Sequence, residues 1–163
     1  MSAFSASVTI YGHQDRPLIR TLPRLLEKVL ETEERATVLV PQDLLEVVDK
    51  GLWTYTPLGF LPHGKKREGV SGDPSLQPIW LTSVFENPNN AGVLVVFDYQ
   101  VVAEKDLLAG AFTRILDLFS LSDKSSVTHF CKRLDVYRAL HADMVMWKDE
   151  GSWNKAQELL QSF

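Results

Sequence analysis

The apolar positions of this chain fall into two recurring patterns: short continuous runs and longer stripes at helical spacing. Residues 8–11 (VTIY), 36–40 (ATVLV), 78–82 (PIWLT) and 93–97 (VLVVF) are short runs rich in β-branched and aromatic side chains, and each predicts a strand. ATVLV has no polar alternation, as expected of a strand covered on both faces of a parallel sheet. Residues 115–119 and 144–147 read as two more strands. Residues 18–33 place Leu18, Leu22, Leu25, Leu26, Val29 and Leu30 on the i, i+3, i+4, i+7 stripe of an amphipathic helix. Pro23 falls in its first turns, so the regular helix is expected to begin around Leu22. Asp43 is the expected N-cap of a helix running to Lys50 and stopped by Gly51. Residues 122–140 predict a long helix, with Val127, Phe130, Cys131, Leu134, Tyr137 and Arg138 on or beside one stripe, and residues 153–163 a closing helix.

Strand-like and helix-like segments alternating in this way predict one open α/β sheet, mostly parallel, with helices on both faces. The outline is that of a single Rossmann-like domain spanning residues 1–163. A polar, glycine-rich loop occupies about 64–76, and a C-terminal helical extension about 153–163. Neither a repeat nor a low-complexity tract interrupts it.

One segment departs from this regular pattern. Residues 51–64, GLWTYTPLGFLPHG, carry Trp53, Tyr55 and Phe60 among Pro57, Gly59, Pro62 and Gly64. Such punctuation predicts a surface loop. Either the rings fold back onto the domain or they are presented to a partner.

Composition narrows the function. The chain has 163 residues, 45% hydrophobic and 23% charged, with a net charge of −4. That is an ordinary globular balance, and it argues against a broad electrostatic grip on nucleic acid, although a small local basic patch fits within it. The single cysteine, Cys131, excludes an internal disulfide and a cysteine-built zinc site. The first residues, MSAFSASVTIYGHQD, have no basic start followed by a long apolar run. No apolar stretch approaches the roughly 20 residues that span a bilayer. A cytoplasmic protein is expected.

A Rossmann-like sheet raises the question of a nucleotide. The first strand–helix junction reads YGHQDRPL, which is not G-x-G-x-x-G, and the one Gly-Lys pair, Gly64-Lys65, continues with Lys66 rather than Ser or Thr. Neither phosphate-binding signature is present. His13, His63, His129 and His141 show no metal-ligand spacing. Asp43, Glu46 and Asp49 form a carboxylate row at helical spacing, as a solvated helix face does. No catalytic residues, metal site or cofactor are expected. A nucleotide-dependent enzyme on this fold is the alternative reading. Lys132, Arg133 and Arg138, with Arg114 and Lys124 near in sequence, are either a solvated face or a small cationic shelf for an acidic peptide.

Three patches together resemble one family. Leu52-Trp53 followed by Phe60-x-Pro62-His63 is similar to the L-W…F-x-P-H signature of the chi subunit of bacterial DNA polymerase III. Pro78-Ile79 through Val93-Leu94-Val95-Val96 resembles that family's paired strands around a variable insertion. Arg133-x3-Tyr137-Arg138, with Trp147 nine residues on, resembles its last helix and closing strand. The resemblance covers nearly the whole chain. It implies a Rossmann-like replication adaptor without enzymatic activity. Such an adaptor belongs to the clamp-loader complex, pairs with the psi subunit, touches DNA only indirectly, and binds the acidic, phenylalanine-ended tail of single-stranded-DNA-binding protein. It implies a psi-type contact at Trp53 and Phe60, with Pro62 and His63 shaping the turn. It implies a tail contact on the long helix at Arg133, Tyr137 and Arg138, with Lys132 beside them. At the family's usual arginine and aromatic positions this chain has Cys131 and Leu134, and Asp135 stands at a neighbouring basic one.

Overall fold

The computed structural model describes residues 3–14, 17–57, 61–66 and 72–163. Its strands are β1 (Ser7–His13), β2 (Ala36–Leu39), β3 (Gly64–Lys65), β4 (Ile79–Thr82), β5 (Val93–Phe97), β6 (Arg114–Ser120), β7 (Asp143–Asp149) and β8 (Trp153–Lys155). Its α-helices are α1 (Leu18–Glu31), α2 (Leu45–Trp53), α3 (Glu104–Ala109) and α4 (Lys124–Ala139). The strands form one sheet in the order β3-β4-β2-β5-β6-β1-β7-β8. Every pairing is parallel except that of β7 with β8.

The continuous apolar runs are explained by which side chains point where. Along β5, Val93, Val95 and Phe97 enter one apolar cluster while Leu94 and Val96 enter another. On β6, Leu116 and Leu118 join the first and Ile115 and Phe119 the second. Side chains alternate across a strand, so each cluster lies on its own face of the sheet. Leu22, Leu26 and Val29 of α1, with Val48 and Leu52 of α2, cover the first face. Leu107 of α3, with Phe130, Leu134 and Tyr137 of α4, covers the second. Each such fully buried aliphatic or aromatic side chain contributes about 1.5–3 kcal/mol. The expected mostly parallel sheet with helices on both faces is what forms.

Several local expectations are corrected. The first helix begins at Leu18, a turn before Leu22. Pro23 lies so near its start that only one early backbone hydrogen bond is lost. Asp43 caps no helix; it lies in a 3₁₀ turn, Gln42–Leu44, and its Oδ2 accepts from the Tyr99 hydroxyl at 2.9 Å. Gly51 does not stop α2, which runs on to Trp53. A Cβ at Gly51 would lie 3.0 Å from the Ile19 side chain, so this glycine serves the close approach of α1 and α2. The aromatic segment is therefore helical as far as Trp53. The closing helix is instead β8, paired back on β7, followed by a 3₁₀ helix, Gln157–Ser162. There the Gln157 side chain stands in for a strand. Its Oε1 accepts from Met146 N at 3.2 Å, and its Nε2 donates to Met144 O at 2.8 Å. β3, inside the expected polar loop, and α3 had no counterpart in the sequence pattern.

Candidate partner-binding site

Trp53 and Asp49 are one helical turn apart on α2, so both face the segment that returns after the loop. Leu61 anchors that segment in the apolar cluster and is 5% exposed. His63 follows, its side chain fully buried. Its Nδ1 is 2.7 Å from Leu61 O and its Nε2 is 2.9 Å from Asp49 Oδ1. A neutral imidazole has one N–H and satisfies one of those acceptors; a doubly protonated ring satisfies both. Lys65 bonds Glu46 and stands 3.8 Å from Asp49 Oδ2. The carboxylate row Asp43, Glu46 and Asp49 is thus only partly a solvated face, since Asp49 is buried against the histidine.

The indole of Trp53 rests on this cluster, its ring 4.9 Å from that of His63 and tilted by 54°. It is nevertheless 47% exposed. Half the ring is held by the domain and half is offered outward. A groove of about 510 Å³ opens beside it, lined by His63, Lys65, Lys66, Pro74 and Trp80. Pro62 is half-buried next to His63. Phe60 lies outside the described residues. The structure thus brings Trp53, Pro62 and His63 together.

The expected cationic shelf on α4 divides differently. Arg133 and Tyr137, one turn apart on α4, are both 0% exposed. Arg133 Nε donates to Asp117 Oδ2 at 2.8 Å and Nη2 to Asp117 Oδ1 at 2.6 Å, while Nη1 donates to the carbonyls of Asp98 and Gln100 at 2.6 and 2.8 Å. The Tyr137 hydroxyl donates to Asp117 Oδ2 at 2.6 Å. Burial pushes Tyr137 well above its ordinary pKa, and Asp117 reinforces the shift. Burial alone lowers the pKa of Arg133, but the Asp117 carboxylate outweighs it and the net shift is upward. Both side chains are committed to the interior, which corrects their expected place as direct tail contacts. The signal that finds them is Asp117, a charge in the middle of the apolar run ILDLF; a buried carboxylate requires a buried partner. Lys132 and Arg138 stay exposed. Arg138 donates to Leu160 O at 2.7 Å and to Phe163 O at 3.3 Å. The Phe163 ring lies edge-on to Phe130 at 5.3 Å.

A doubly wound sheet places ligands at the carboxyl ends of its strands. Here that crevice, about 370 Å³, is lined by Leu18, Val48, Phe97, Asp98 and Ser120 among others. Its walls are largely apolar, and the acidic Asp98 among them carries the wrong charge for a phosphate. Among the described residues, no group of His, Cys, Asp and Glu is arranged to hold a metal ion, and no helix is long and apolar enough to cross a membrane.

Comparison with known proteins agrees with the family resemblance of the sequence. The probable DNA polymerase III subunit chi of Rickettsia prowazekii (strain Madrid E) is 32% identical over 102 residues, a match covering 62% of this chain and 60% of that relative. The family model described as DNA polymerase III chi subunit, HolC, matches residues 6–144. On that match, which takes in the sheet from β1 to the start of β7 together with the Trp53–His63 cluster, the chain belongs to the DNA polymerase III chi subunit family.

Proposed function

We propose that this chain is a non-catalytic replication adaptor, linking the clamp loader of DNA polymerase III to the acidic C-terminal tail of single-stranded-DNA-binding protein. The observation that carries the reading is Trp53, a large ring held by His63 yet 47% exposed. An aromatic fixed on one side needs little further ordering when a partner covers the other, and such rings dominate interface energetics. On this reading Trp53, Phe60 and Pro62 meet a psi-type subunit, and His63 with Asp49 positions Trp53. Tail binding falls to the exposed cations Lys132 and Arg138 on α4, because an acidic peptide with a terminal carboxylate needs charge-assisted hydrogen bonds.

The test is titration with a fluorescent tail peptide ending in Asp-x-Pro-Phe. Saturable binding that weakens with salt is expected, and Arg138→Ala should weaken it by about 1.5–3 kcal/mol, the contribution of a hydrogen bond to a charged group. No saturable binding at high micromolar protein would overturn the tail assignment.

A further inference from the structure

A second aromatic surface lies at the other end of the sheet. Tyr11 of β1, Trp147 of β7 and Lys155 of β8 are register partners across three adjacent strands, so their side chains rise from one face. Trp153, two residues before Lys155, stands on the same face. Its ring meets Tyr11 edge-on at 5.3 Å and His13 edge-on at 4.9 Å, contacts that fix its orientation. Opposite Tyr11, Trp147 and Trp153, α1 presents Thr21, Arg24 and Lys28, and these residues line a groove of about 420 Å³; Lys155 is exposed next to it along β8.

The groove is equipped for a ligand in three ways. Tyr11, Trp147 and Trp153 are only half-buried, leaving flat aromatic area open. Arg24 and Lys28 are exposed one helical turn apart, and among the described residues neither side chain makes a hydrogen bond or an ion pair. Thr21 lines the groove and is 4% exposed, yet among the described residues its Oγ1 has no hydrogen-bond partner; a buried polar atom left open in this way is uncommon. Asp149, the register partner of Trp153, lies on the same face but is buried at 3% exposure.

We propose that this groove binds single-stranded nucleic acid, with bases stacking on Trp147 and Trp153 and phosphates meeting Arg24, Lys28 and Lys155. A single strand alternates planar bases with phosphates, and neighbouring rings flanked by cations match that repeat. An acidic peptide would use the cations and leave most of the aromatic area unmatched. The site goes beyond the adaptor reading. Trp147, Trp153 and Lys155 all lie beyond the residues matched by the family model, 6–144. A net charge of −4 confines the attraction to this patch, so binding is expected at low salt and falls steeply as salt is added.

The experiment measures fluorescence anisotropy of labelled oligo(dT) of about 15 nucleotides, a length within single-strand site sizes, with the full chain at low salt. Saturable binding that quenches tryptophan fluorescence is expected. Arg24→Glu combined with Lys28→Glu should weaken it by about tenfold or more and flatten the slope of log binding constant against log salt by about 1.4, at about 0.7 per lost phosphate contact. Both residues are exposed and unpaired, so the melting temperature and the tail-peptide affinity should stay unchanged. Trp53→Ala should bind the oligonucleotide like the parent chain. Absence of binding at low salt, or equal affinity in the charge-reversed chain, would overturn the proposal. Displacement of the oligonucleotide by the acidic tail peptide would overturn it too, by assigning the groove to that peptide.

Discussion

The Asp117–Arg133–Tyr137 network and the Asp49–His63–Trp53 cluster are built from the same chemical parts: a carboxylate, a nitrogen base and an aromatic ring. In both, two members sit one turn apart on a helix and the third comes from elsewhere in the chain. They differ in where the aromatic ends. Tyr137 is 0% exposed and its hydroxyl is spent on Asp117, whereas Trp53 is 47% exposed over a buried histidine. Buried on every side, the first set holds α4 on β6 and has no donor to offer a partner. With its outer half uncovered, the second can do both. Residue type and helical spacing are alike in the two; depth within the domain separates a wholly enclosed set from one with an aromatic face left open.

That contrast is most strongly tested from inside. Arg133→Ala leaves Asp117 buried without its cation and should cost about 3–5 kcal/mol of stability in denaturant unfolding. A loss below about 1 kcal/mol would place Arg133 among surface charges after all. On the other side, His63→Ala removes one hydrogen-bond partner of the buried Asp49 and should cost roughly 1–3 kcal/mol. It should also weaken capture of a psi-type partner, because Trp53 loses its support. Trp53→Ala should shift stability by no more than about 1 kcal/mol while abolishing that capture. Loss of cooperative unfolding in this variant would make the tryptophan as structural as Tyr137 and erase the distinction.

The smallest expected effect concerns Asp98, which lines the crevice and whose backbone carbonyl accepts from Arg133. Burial pushes its side-chain carboxyl up from the ordinary 3.8, so the folded state holds the proton to higher pH than the unfolded chain. Stability from this group is fully present below the unfolded value and is lost as pH rises through the folded one. Asp98→Asn should therefore raise the melting temperature at pH 7, and the gain should shrink as pH approaches 4. The backbone at residue 98 has φ of 60°, a conformation asparagine accepts readily. A gain equal at both pH values would show that ionisation is not its source.

The sheet was legible because buried strands leave long apolar runs, and VLVVF and ATVLV have little other use in a chain of this composition. The helices were legible where a stripe was long, as in α1 and α4. β3 escaped because two residues, Gly64 and Lys65, carry no periodicity; pairing with β4 alone makes them a strand. The C-terminal segment was read as helical because its leucines suit a helix, yet pairing of Trp153–Lys155 with β7 decides its start. Trp53 was legible from its neighbours as a candidate for partner contact, and its ring is 47% exposed. Arg133 and Tyr137 were misplaced because a stripe shows which residues share a helix face, while the depth of that face depends on Asp117, sixteen and more residues earlier and on another element.

The amide of Gln157 has a consequence for how copies of this protein meet. A sheet ends in strands whose free N–H and C=O groups invite another chain to add itself. One border here is β3, only two residues long, and the other is the three-residue β8. Beside β8 the rim of β7 would lie open, but Gln157 and the Ala156 amide occupy Met144 O, Met146 N and Met146 O. A long parallel sheet is thus left with little border on which a neighbouring copy could continue it.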